Sequence, residues 1–104
     1  DSSYLDVLKE INTYYVLNED EEIQQNVISL NKSYLDYCCE KENVYKLTFS
    51  KLIDINCYYK ESKNVDFQNS LRNLNINYLN NLINNIVGVN EYLLRKINKF
   101  YQKD

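Results

Sequence analysis

The chain has 104 residues, with no His, Pro, Met, Trp or Ala, one Gly, 17 Asn and 11 Tyr. Without His it has no Ser-His-Asp or Cys-His catalytic group and no imidazole metal ligand. One Gly cannot build a glycine-rich phosphate loop. Net charge is −3 and unevenly spread: residues 1–44 carry three positive and ten negative side chains (−7), residues 45–104 nine and five (+4).

This length sets a single domain, 1–104. Leu, Ile, Val and Phe make about 31% of the chain, above the range of disordered chains. An acidic chain is unsuited to generic nucleic-acid binding, which needs phosphate neutralisation. No apolar run reaches membrane-spanning length. The missing initiator Met leads us to expect a fragment of a longer protein. The excess of Asn, Ile, Lys and Tyr, with Lys over Arg ten to two, resembles the coding bias of an AT-rich parasite or viral genome.

With Pro absent and Gly nearly so, helical periodicity is almost unopposed. The expected class is all-α: a compact bundle of four to five amphipathic helices. The first runs from about Ser3, a candidate cap, to Leu17, with Tyr4, Leu8, Ile11 and Tyr15 on its apolar stripe. The second, Asp20 to Glu40, has a stripe of Ile23, Val27, Leu30, Tyr34 and Cys38 and an acidic first turn that suits the helix dipole. The third, Val44 to Tyr59, also alternates in the manner of a strand. Helix is favoured there, because a lone hairpin among helices leaves two open edges.

The fourth helix, Val65 to Val87, carries Phe67, Leu71, Leu74, Tyr78 and Leu82. Gly88 stands where a left-handed C-terminal cap would sit. The fifth, Asn90 to Gln102, turns Leu93, Leu94, Ile97, Phe100 and Tyr101 inward. The segments differ in length and stripe composition, so no internal repeat is expected.

The acidic run Glu19, Asp20, Glu21, Glu22 lacks the alternate spacing of a calcium loop and reads as a capped helix start. Three cysteines leave at least one thiol unpaired within the chain. A Cys38–Cys57 bridge conflicts with a continuous third helix, whose axial offset of roughly 13 Å exceeds disulfide reach. Cys38 is expected in the core and Cys39 is the candidate reactive thiol. The lone sequon, Asn31-Lys32-Ser33, lies mid-helix and reads as chance.

Tyr4, Tyr15, Tyr34 and Tyr78 fall on apolar stripes. Tyr14, Tyr37, Tyr58, Tyr59 and Tyr92 are harder to bury together, and aromatics are favoured in interface centres. Tyr92, Arg95, Lys96, Lys99 and Lys103 make a second, basic face on the last helix. The expected function is a non-catalytic helical protein–protein interaction domain, from a parasite or viral protein contacting a host or structural partner. Its candidate contact residues are that basic face with Tyr58 and Tyr59. Membrane-surface contact through the same face is compatible with its chemistry. The alternative is a small carrier of a lipid or other apolar ligand between the helices. No catalytic residue, metal or cofactor is expected.

Overall fold

A computed structural model of the chain describes residues 2–102. Among them the fold is all-helical: α1 (Ser2–Tyr15), α2 (Glu21–Cys39), α3 (Lys41–Lys46), α4 (Phe49–Tyr59), α5 (Val65–Asn84), a 3-10 turn (Ile86–Gly88) and α6 (Glu91–Tyr101). The count of six α-helices exceeds the expected four to five because the segment 44–59 is broken. Thr48, extended at ψ 156°, accepts a hydrogen bond from the Lys51 amide and starts α4 afresh after α3. That segment is helical on both sides of the break, with no hairpin.

The molecule is elongated, 50 × 28 × 23 Å with a radius of gyration of 15.0 Å, against roughly 13 Å for a compact chain of this size. The cause is an internal repeat that the segment lengths concealed. Leu8-x-x-Ile11-Asn12-x-Tyr14-Tyr15 in α1 recurs 44 positions on as Leu52-x-x-Ile55-Asn56-x-Tyr58-Tyr59 in α4. A further 42 on, α6 has Leu94-x-x-Ile97-Asn98-x-Phe100-Tyr101. The second helices match as well: Gln24, Leu30, Asn31, Tyr34 and Leu35 of α2 return as Gln68, Leu74, Asn75, Tyr78 and Leu79 of α5. The offset shortens from 44 to 42 where the 3-10 turn takes the place of α3.

Hydrogen bonds repeat with the sequence. Gln24 Nε2 donates to the carbonyls of Tyr15 and Asn18, and Gln68 Nε2 to those of Tyr59 and Ser62. Asp20 and Asn64 cap the two second helices. Asn12 and Asn31 exchange carboxamide hydrogen bonds of 2.9 and 2.7 Å. Asn56 and Asn75 do the same at 3.2 and 2.8 Å. In each pair the second-helix Asn also receives a tyrosine hydroxyl from the next unit, Tyr59 to Asn31 and Tyr101 to Asn75, both at 2.6 Å. The Asn pair joins the helices within a unit; the tyrosine joins unit to unit.

The result is two layers. The first helices α1, α4 and α6 lie side by side. Lys9 sits over the Tyr58 ring, Asn12 Nδ2 donates to the Tyr58 hydroxyl, and the Phe49 and Phe100 rings meet edge to face at 5.8 Å. The second helices α2 and α5 pack along one another in the other layer. Between the layers, Leu5, Leu35, Leu52, Ile55 and Leu74 are sealed from solvent. Burial of five such side chains is the main favourable term, of order 1.5–3 kcal/mol each before entropy.

Two expected stripes are rotated by this arrangement. On α2 the buried residues are Asn31, Leu35 and Cys38, while Leu30 stays half exposed. On α1 the core takes Leu5 and Leu8, and Tyr4 lies outside. Tyr34 and Tyr15 are half-buried, and Tyr78 is buried as expected. Ser3 lies within α1 rather than before it. Asn85 ends α5, and Gly88 closes the 3-10 turn with no positive φ, so the left-handed cap is absent.

Candidate functional site

The repeated motif separates structural from free positions. In α1 and α4 its Leu, Ile, Asn and final Tyr are buried or half-buried towards the second-helix layer. In α6 Ile97 is buried and the Tyr101 hydroxyl donates to Asn75, but Asn98 is exposed and Leu94, expected inward, is 40% exposed. Two of the three intervening positions face outward on one side of the first-helix layer; the third holds Lys9, Ile53 and Arg95, of which the first two are half-buried. Glu10, Asp54 and Lys96 occupy equivalent exposed places, as do Thr13, Cys57 and Lys99. One row therefore reads acidic, acidic, basic along the stack, in line with the charge polarity of the chain.

At the α6 end, Tyr92 is 68% exposed and the Lys96 ammonium lies over its ring at 4.7 Å from the centroid. Arg95 is held by Glu91 one turn away, Nε to Oε2 3.0 Å. Such an exposed pair contributes under about 0.5 kcal/mol and leaves Arg95 readily recruited by another anion. Asn90 caps α6 by accepting from the Leu93 amide. The structure thus brings Tyr92, Arg95, Lys96 and Lys99 onto α6 as a mixed aromatic and basic face. Lys103 lies outside the described residues.

Tyr58 and Tyr59 do not join that face. Tyr59 is buried, its hydroxyl spent on Asn31 and its ring edge to face with Phe67. Burial raises its hydroxyl pKa well above the ordinary tyrosine value. Tyr58 is half-buried between Lys9 and Asn12. Both are parts of the unit-to-unit joint, which corrects their expected role as surface contacts.

The cysteines are all free thiols. Cys39 sits at the α2–α5 joint, its Sγ donating to the Ser70 carbonyl at 3.3 Å. Burial, then the charge of Asp36, push its pKa up to about 11, which disfavours the reactive thiolate at neutral pH. Cys38 is buried and raised for the same first reason. Cys57, on the outward row of α4, is the exposed thiol. Asn31 of the sequon is buried with both ends of its carboxamide engaged, so the folded chain does not offer it for glycosylation.

An apolar groove of about 560 Å³ runs between α1 and α2, lined by Tyr4, Val7, Ile11, Leu30, Tyr34 and Tyr37 among others. Among the described residues no three His, Cys, Asp or Glu side chains gather to hold a metal, and no helix is long and apolar enough to cross a membrane. The α6 basic face was readable from spacing alone. The equivalent outward positions of α1 and α4 were missed, and the thrice-written Leu-x-x-Ile-Asn-x-aromatic-Tyr was the signal for them. No protein-family model, curated protein or solved structure matches the chain.

Proposed function

We propose that this chain is a non-catalytic, repeat-built helical module that binds a protein partner across the outward side of α1, α4 and α6. One observation supports this role above the others. Three copies of one helix keep the same packing residues while their outward positions differ in charge and size: Glu10, Asp54, Lys96 and Thr13, Cys57, Lys99. A fixed frame with differing outward side chains is how repeat arrays present an extended recognition surface. The aromatic and basic α6 end is the anchor, where Tyr92 supplies contact area and the cations meet acidic groups of the partner.

The test compares affinity capture by the native sequence and by a Tyr92→Ala/Lys96→Ala/Lys99→Ala variant with an unchanged melting curve. Loss of the captured protein supports the α6 face; unchanged capture removes it. Vesicles containing phosphatidylserine form the second arm, and binding to them in place of protein assigns the face to a membrane surface. The runner-up role, carriage of a lipid or other apolar ligand, draws on the α1–α2 groove. That groove is open along its length rather than enclosed.

A further inference from the structure

The second unit supplies a template for the groove on the first. We propose that the α1–α2 groove is a docking site for one amphipathic helix of the α2 type, the second helix of a repeat unit of this same kind. In the second unit the equivalent groove, between α4 and α5, is already filled, and its occupant is the C-terminal half of α2 with α3. Four lining residues match: Leu8, Ile11, Leu30 and Tyr34 correspond to Leu52, Ile55, Leu74 and Tyr78, while Tyr4, Val7 and Tyr37 have Thr48, Lys51 and Asn81 in their places. Leu74 and Ile55 are sealed at 0% exposure beneath α2, whereas their equivalents Leu30, at 44%, and Ile11 lie open or half open. Tyr78 is buried, and its equivalent Tyr34 is half-buried.

The polar fittings of the filled groove reappear in the open one. Tyr59 donates its hydroxyl to Asn31 of α2, Ser70 donates to the Asp36 carboxylate at 3.0 Å, and Asn77 Nδ2 donates to the Cys39 carbonyl at 3.0 Å. Their equivalents are Tyr15, Asn26 and Ser33, each able to donate a hydrogen bond. The docking helix is thereby specified. It carries an Asn carboxamide for Tyr15 and a carboxylate five residues later for Asn26, as Asn31 and Asp36 do. Leu and a small apolar residue lie between or just beyond, as Leu35, Cys38 and Cys39 do. An apolar face with the donor Ser33 in its lining, and Tyr15 and Asn26 further along the same two helices, selects such a helix over an acyl chain, which has no acceptors along its length.

The test appends a second copy of residues 20–47 directly ahead of Tyr4 in the full chain, in the register that α2 and α3 hold to α4. The groove is then offered its proposed occupant at the native spacing. The expected results are a higher melting temperature than the parent and slowed amide exchange in α1 and α2. Leu30→Glu, exposed in the parent and therefore near-neutral there, should abolish both gains. So should Leu35→Glu made only in the appended copy. No rise in melting temperature, or a rise that survives both substitutions, overturns the proposal. Oleate provides the competing arm: a rise in the parent's melting temperature with oleate, lost in Leu30→Glu, would assign the groove to an apolar ligand and overturn it as well.

Discussion

The first and second repeat units use one set of residues to different ends. In the second unit Leu52, Ile55, Leu74 and Tyr78 are buried, because α2 covers them on one side and α6 closes against Phe49 on another. In the first unit Leu8 alone of the four equivalents is buried; Ile11, Leu30 and Tyr34 stay partly in water. The side chains and the helix are the same, so the difference comes from neighbours. Stability in such an array is a sum of unit and nearest-neighbour terms, and the second unit has neighbours on both sides.

The largest effect should come from substituting the same residue in both units. Leu74→Ala should cost about 2–5 kcal/mol, as for a fully buried leucine in a packed core. Leu30→Ala removes a side chain already half in solvent and should cost under about 1 kcal/mol. Denaturant unfolding of the two variants measures the contrast. Equal costs would mean that the groove is already covered in solution and would break the comparison.

The paired asparagines come next. Asn31→Ala leaves the buried Tyr59 hydroxyl without its acceptor and strips Asn12 of its exchange partner, for about 2–3 kcal/mol. Asn75→Ala disturbs a half-buried pair and the more exposed Tyr101, and water can replace the lost partners, so about 1 kcal/mol is expected. Asn31→Ala combined with Tyr59→Phe should cost less than the sum of the two, since they remove one interaction from opposite ends.

These asparagines mark where the sequence was misleading. Helix class, the α5 stripe, the Asn90 cap, the buried Cys38 and the outward α6 cations were all legible from period and spacing. The repeat was not, although it is written three times. An apolar-stripe reading counts Leu, Ile and Tyr as core and treats Asn as the solvated side. In α2 that logic puts Leu30 inside and Asn31 outside, whereas Asn31 is buried and Leu30 is half exposed. A carboxamide that bonds a second carboxamide and a tyrosine is an interior group with all its polar atoms paired. Hydropathy carries no signal for that pairing; recurrence of Asn within an identical frame does. The break at Thr48 was hidden for another reason. It rests on one side-chain cap, in a stretch whose apolar residues fit a helix or a strand about equally well.

A smaller contrast lies at Cys39 and its equivalent Ile83. Only the first titrates. Its folded-state pKa of about 11 lies above the ordinary thiol value of 9.0. The stability this contributes is complete below pH 9 and is lost as pH rises through about 11. Melting temperatures measured from pH 8 to 11 should fall less steeply for Cys39→Ala than for the parent. Alkylation by iodoacetamide should reach Cys57 first and Cys39 later, with Cys38 the slowest. Early labelling of Cys39 would mean that the α2–α5 joint opens readily.

The smallest expected difference concerns the equivalent N-caps. Asp20 accepts from two amides, Glu22 at 2.9 Å and Ile23 at 3.2 Å, and Asn64 from one, Phe67 at 3.1 Å. Replacing either by Ala should cost about 1 kcal/mol, since a cap side chain satisfies an amide that has no partner within the helix. The charge on Asp20 adds an attraction to the positive helix end. Glu21 and Glu22 sit in the same turn, however, and their repulsion works against it. Asp20→Asn keeps the hydrogen-bond acceptor and removes the charge. It should change stability by only a few tenths of a kcal/mol at low salt, and by less as salt screens both terms. A cost near that of Asp20→Ala would show that the carboxylate rather than its geometry holds the start of α2, and that the two units are capped by different physics.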